Sequence, residues 1–151
     1  MLIIPDDLNG PEMHALLEVH FARMLASSPQ GNCHALDFDR PNAPDIAFWS
    51  IRDGENLAGC GALKEHAQRL GEIKSMRTHA GYLRRGVGAQ MLAHIIAVAR
   101  ARGYARLSLE TGSGDAFVAA ARLYERHGFT ECAPFADYVP DPFSRFMTLA
   151  L

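Results

Sequence analysis

The chain has little of what most directly announces a partner. Its 151 residues include three cysteines, Cys33, Cys60 and Cys132. An odd number at wide spacing builds neither a disulfide framework nor a zinc site, and points to reduced thiols in a cytoplasmic protein. Neither sign of charge dominates: 15 Lys and Arg against 17 Asp and Glu leave a net charge of −2, which is no footprint for nucleic acid. No apolar run approaches the roughly 18 residues a membrane span needs, and the amino-terminal stretch does not read as a signal peptide. The sequence has no internal repeat and no low-complexity tract. His34 and Asp37 make a close pair of metal-ligand types, but no third ligand is near them, so no metal is expected and a helix cap or substrate contact is the better reading.

What is present is the composition of one soluble globular domain spanning 1–151, with 48% hydrophobic and 21% charged residues. A chain of this size buries roughly two-thirds of its unfolded surface. Leu2-Ile3-Ile4 reads as a first strand. A helix starts at Pro11 and runs to about Ala26, with Met13, Leu16, Leu17, His20 and Met24 inward. Residues 27–44 are rich in turn formers and read as a loop or short helix. Strands at 46–52 and 57–65 flank Asp53-Gly54, a hairpin signal, and another strand covers 71–78. A helix over 87–102, a strand at 106–110, a helix over 115–127 and a strand from Phe143 to Leu151 complete the chain. Ser113 or Asp115 is the candidate cap of the last helix. Hairpin strands first, then strands alternating with helices, predict an α/β fold: one mixed sheet with helices on both faces.

The most informative segment is Arg84-Arg85-Gly86-Val87-Gly88-Ala89, between the strand at 71–78 and the helix at 87–102. A glycine turn at a helix start leaves backbone N–H groups unpaired and pointing one way, where the helix dipole adds partial positive charge. Such a turn holds a phosphate or pyrophosphate, and glycine lets the backbone come close to it. A P-loop would need Lys-Ser/Thr after the last glycine, but Ala89 and Gln90 follow Gly88. A dinucleotide fingerprint would need a third glycine where Met91 stands and an acidic residue near Arg106. The remaining pattern resembles the acetyl-CoA pyrophosphate loop, Q/R-x-x-G-x-G/A, of the GNAT N-acetyltransferase superfamily, with Leu83 in place of the first Gln/Arg. A second block, Ala120 to Phe129, resembles the A-x-x-L-Y-x-x-x-G-F signature of that superfamily's last core helix, with Phe117 where an Asn is frequent. The likeness spans nearly the whole chain.

The resemblance implies an α/β sandwich and acetyl-CoA as cofactor. By it, Met76, Arg77 and Thr78 hold the pantetheine side, and Leu83, Arg84, Arg85, Gly86, Val87, Gly88 and Ala89 hold the pyrophosphate. Phe117, Ala120 and Tyr124 line the cofactor from the last helix, and Tyr124 faces the sulfur as proton donor to the leaving thiolate; Tyr124 also reads as a helix aromatic packed in the core. For the base, Glu72 stands at the offset from Gly88 that the catalytic glutamate of the histone-acetylating branch shows. Glu110, at the end of the next strand, is the second candidate, and water is the third. Either glutamate also reads as an ordinary salt-bridged strand residue. Lys64, His66 and His79 read as surface residues, Cys60 between two glycines as a close-packing residue, and Phe135, Tyr138 and Phe143 either as an aromatic wall over the acceptor site or as a packed C-terminal hairpin. The expected activity is acetyl transfer to a small-molecule amine in a ternary complex. A peptide or protein acetyltransferase and a non-catalytic acyl-CoA-binding regulator are the alternatives. Members of that superfamily are often dimers.

Overall fold

The computed structural model describes residues 1–27 and 44–151. His34, Asp37 and the predicted 27–44 loop lie outside that range or at its margin, as do the side chains of His20 and Met24. The element order is β1 (Leu2–Pro5), α1 (Pro11–Ser27), β2 (Ile46–Asp53), β3 (Asn56–Glu65), β4 (Leu70–Thr78), α2 (Val87–Ala101), β5 (Arg106–Gly112), α3 (Val118–Arg126), β6 (Thr130–Glu131) and β7 (Ser144–Ala150). The strands form one sheet in the order β1-β2-β3-β4-β5-β7-β6. The pair β4–β5 is parallel and the other pairs are antiparallel. This is the mixed sheet that the strand and helix pattern predicts.

Local chemistry explains most boundaries. Gly54 takes φ +59° in the two-residue turn that pairs Asp53 with Asn56. The α2 spacing puts Val87, Met91, Leu92, Ile95, Ile96 and Ala99 on one buried stripe. Gly128, at φ +95°, ends α3 in the left-handed conformation that glycine adopts most cheaply. Two expectations are corrected. The last helix begins as a tight 3-10 turn over Asp115–Phe117, and no side chain caps it. Ser113 instead donates its hydroxyl to the Pro142 carbonyl at 2.7 Å.

Helices cover both faces. The α2 stripe, Tyr124 and Phe129 pack on Ile73, Leu107 and Leu109. On the other face, Met13, Leu16 and Leu17 of α1 pack on Phe48, Cys60 and Ala62. Because strand side chains alternate, Glu72 and Glu110 lie on the face opposite Ile73 and Leu109.

The feature that positions the site is where β4 and β5 stop pairing. Their ladder runs from Leu70↔Arg106 to Ile73↔Leu109 and goes no further, although β4 continues to Thr78 and β5 to Gly112. Each strand's far half is held by its other neighbour. Thr78 and Arg77 pair with Gly59 and Cys60 of β3, while Glu110 to Gly112 pair with Phe146 to Ser144 of β7. Between Cys60 and Ala62 the β3–β4 register shifts, and Ser75 sits at φ +55°. That is a β-bulge, which bends the strand carrying the extra residue. β4 follows β3, β5 follows β7, and the sheet opens between them.

Candidate active site

The opening leads to the amino terminus of α2. His79 caps the short turn Ala80–Tyr82 by accepting from the Gly81 N–H at 3.0 Å. The chain then passes through Arg84 at φ +62° to Gly86 at φ +79°, the N-cap of α2. No side chain caps this helix, so the first N–H groups, at Val87, Gly88 and Ala89, are left to an outside acceptor. A Cβ built on Gly86 would meet nothing within 4 Å, whereas one on Gly88 would approach Leu123 to 3.2 Å. Gly86 therefore serves backbone conformation and open approach, and Gly88 serves close packing of α2 on α3. Leu83, Arg84 and Arg85 are exposed, and the Arg85 guanidinium lies 4.6 Å from the Tyr82 ring centre. This uncapped, open turn is a cradle that fits a phosphate group. Arg77 and Thr78 line a cleft of about 450 Å³ between α1 and the end of β4, together with Glu12, His79 and Tyr82.

On the α2 face, Tyr124 is buried with its ring 5.8 Å from that of Phe129. Among the described residues its hydroxyl has no hydrogen bond, and burial pushes its pKa up to about 12. It stays protonated through the physiological range. Ala120 and Met76 are half-buried against the same cluster. Phe117 packs its ring so closely on the backbone that a Cβ on Gly112 would come within 2.1 Å of it, so it closes the end of β5.

On the other face the predicted carboxylates come together with partners distant in sequence. Glu72 is buried, with His66 Nε2 2.8 Å from its Oε1, the Tyr138 hydroxyl donating to its Oε2 at 2.6 Å, and Lys74 Nζ 3.5 Å away. Lys74 follows Glu72 by two residues and so shares its face. His66, expected at the surface, is mostly covered. Glu110 is the first residue of β5 beyond the parallel ladder and is partly exposed. Burial, then the nearby charges of Glu72 and Asp141, raise its pKa to about 7, against the opposing pull of Lys74. Tyr138 is pushed up by burial and by Glu72.

Phe135, Tyr138 and Phe146 pack ring against ring at 5.1–6.0 Å beside this cluster. Phe143, expected in that wall, is exposed and joins no ring pair among the described residues; Phe146 occupies its place. Cys60 is buried and its thiol is pushed up to about 12 by burial, which suits packing and not nucleophilic chemistry. No group of three or more metal-ligand side chains exists among the described residues. The sequence held one local signal for the Glu72 cluster, the alternation Glu72-x-Lys74. It held none for the bond from Tyr138, expected only in the aromatic wall, because Tyr138 arrives on the segment between β6 and β7.

The comparisons agree with this geometry. Residues 13–129 match the model of the acetyltransferase (GNAT) family. An uncharacterized N-acetyltransferase of Bacillus subtilis strain 168, YsnE, is 53% identical over 146 residues, covering 97% of both chains. The crystal structure of a Klebsiella pneumoniae acyl-CoA N-acyltransferase, so described provisionally, superposes with a TM-score of 0.83 at 29% identity, over 99% of this chain and 97% of that one. A second Bacillus subtilis acetyltransferase, solved in complex with CoA, shares the fold at a TM-score of 0.72 and 18% identity, over 99% and 97% of the two chains. An opened β4–β5 pair, an uncapped glycine turn at α2 and these likenesses have one reading: the chain belongs to the GNAT acetyltransferase family.

Proposed function

We propose that the protein transfers the acetyl group of acetyl-CoA to the amine of a small molecule, by direct attack within a ternary complex. The observation that carries this reading is the parting of β4 from β5 immediately ahead of the Gly86 turn. Beyond Ile73 the backbone of Met76 to Thr78 pairs with β3, through Arg77 and Thr78, but not with β5, so the N–H and C=O groups on its β5 side are available to the amides of a pantetheine arm. The pyrophosphate then meets the uncapped N–H groups of Val87, Gly88 and Ala89, with Arg84 and Arg85 on the exposed rim. The CoA held by the Bacillus subtilis structural neighbour supports the same use of the fold.

In this reading Tyr124, held neutral by burial, supplies a proton to the departing thiolate, and the Glu72–Glu110 face receives the amine. The half-apolar wall of Phe135, Tyr138 and Phe146 beside a carboxylate suits a compact cationic amine. It supports a small acceptor over an extended basic peptide. The free thiols of Cys60 and Cys132 fit a cytoplasmic enzyme.

The test is thermal unfolding with acetyl-CoA, free CoA and NADH. A ligand at 100 times its dissociation constant adds about 2.7 kcal/mol, which moves the midpoint by several degrees in a domain of this size. Acetyl-CoA and CoA are expected to raise the midpoint, and Gly86→Asp is expected to abolish the rise. A screen of amines and peptides by CoA release then identifies the acceptor class. No rise at saturating acetyl-CoA refutes the reading.

A further inference from the structure

We propose, on the acetyl-transfer reading above, that the two carboxylates have separate tasks: Glu110 takes the proton of the acceptor amine, and Glu72 is a positioning residue. Three observations on geometry carry this. Glu72 has no free oxygen, since Oε1 meets His66 and Oε2 meets both the Tyr138 hydroxyl and Lys74. An incoming amine would have to break one of these buried bonds, and leaving a buried polar partner unpaired is costly. Glu72 also lies inside the zipped part of the sheet, opposite Ser108. Glu110 stands one residue past the last β4–β5 pair, on the same face as Ser108 and at the mouth of the opening. It is partly exposed, and no ion pair among the described residues engages it.

The clamp on Glu72 does something specific. It ties β4 to the segment before β7 through Tyr138, and to the β3–β4 turn through His66. It thereby fixes a negative charge behind Glu110. The groups that face Glu110 are Glu72 and Lys74 from β4, Asp141 and Tyr138 from the segment preceding β7, and Ser144 from β7. Burial, opposed by Lys74 and Ser144 and reinforced by Glu72 and Asp141, gives Glu110 a proton affinity near neutrality, the useful range for a base working at physiological pH.

The acceptor ammonium gives one proton to the Glu110 carboxylate and becomes a neutral amine. The nitrogen lone pair forms the C–N bond to the thioester carbonyl carbon, and the C–S bond breaks with its electron pair going to sulfur. The nitrogen's surplus proton balances the one that the thiolate takes up to become CoA thiol. The proton on Glu110 passes to water.

The experiment uses the full chain and the best amine from the screen, with kcat and KM followed from pH 5 to 9. Glu110→Gln is expected to lower kcat by about 10²–10⁴-fold and to remove the rise in rate near pH 7, while the thermal shift with acetyl-CoA persists. Glu72→Gln is expected to keep that rise but move it to lower pH, because the like charge is gone. Tyr138→Phe, which keeps the Glu72 charge, is expected to retain the rise and serves if Glu72→Gln folds poorly. A rise that survives in Glu110→Gln, or disappears in Glu72→Gln or Tyr138→Phe, overturns the assignment. An NMR titration of glutamate-labelled protein, without substrate, separates the two levels of inference. A Glu110 carboxyl that titrates at the ordinary glutamate range and ignores Glu72→Gln overturns the division of tasks even if acetyl transfer is real. A wild-type protein that neither binds acetyl-CoA nor releases CoA overturns the acetyl-transfer reading itself.

Discussion

Glu110→Gln offers a measurement in which stability and activity move in opposite directions. In the folded protein the Glu110 carboxyl is raised from 4.5 to about 7, chiefly by burial. A raised carboxyl binds its proton more tightly folded than unfolded. Its contribution to stability is therefore complete below pH 4.5 and is lost as the pH climbs through about 7. The gap corresponds to about 3 kcal/mol between the two limits. Because the side chain is partly exposed, water screens the penalty, and about 2 kcal/mol is the expected figure. Glutamine keeps the shape and carries no charge, so the variant avoids the loss. At pH 5 the two proteins should unfold within about 0.5 kcal/mol of each other, as nearly isosteric neutral side chains do. At pH 8.5 the variant should be more stable by about 2 kcal/mol, or about 6 °C in midpoint. Urea unfolding of both proteins at the two pH values reads this directly. Taking the difference between proteins at each pH cancels every other titrating group that the substitution leaves alone. An equal difference at both pH values would refute the argument, since Glu110 would then be solvated like any surface carboxylate.

Two further perturbations probe the opposite face of the sheet. Tyr124→Phe removes a hydroxyl that has no hydrogen bond among the described residues; its unfolding midpoint is expected to hold, while kcat for CoA release falls on the order of 10²-fold. A clear loss of stability in urea would reveal a hydrogen bond to that hydroxyl in solution. Gly61→Ala brings a Cβ to 2.7 Å from Met91 Cγ and 3.0 Å from Met76 Sδ, overpacking the seam between the bulged strand and α2. It is expected to cost about 1–3 kcal/mol in urea unfolding, and an unchanged midpoint would mean that the two methionines repack freely.

The repeating elements were legible in the sequence because they depend on local rules. Helical spacing from Val87 to Ala99 and two-residue alternation around Glu72-Ile73 and Leu107–Leu109 follow from backbone geometry alone. Gly54, Gly86 and Gly128 sit at positive φ, where the missing Cβ carries the information. The glycine turn, read together with the block from Ala120 to Phe129, also suffices to suggest the GNAT family. Local rules reached less far at element ends. The predicted cap at Ser113 or Asp115 is absent because the Ser113 hydroxyl finds the Pro142 carbonyl, a partner supplied by the far end of the chain.

Only the tertiary structure decided what surrounds the carboxylates. Glu72 is clamped by His66 and by Tyr138 because the β3–β4 turn and the segment before β7 converge on one sheet face. Phe146 stands in the wall where Phe143 was expected because β7 pairs it opposite Glu110. The break in the β4–β5 ladder arises from competition, each strand following its other neighbour past the Ser75 bulge. The sequence by itself determined which residues are apolar, which are acidic and where the backbone turns. Proton affinity, partner choice and the opening of the sheet depend on desolvation and on pairing between residues far apart in the chain, and these quantities exist only once the chain has folded.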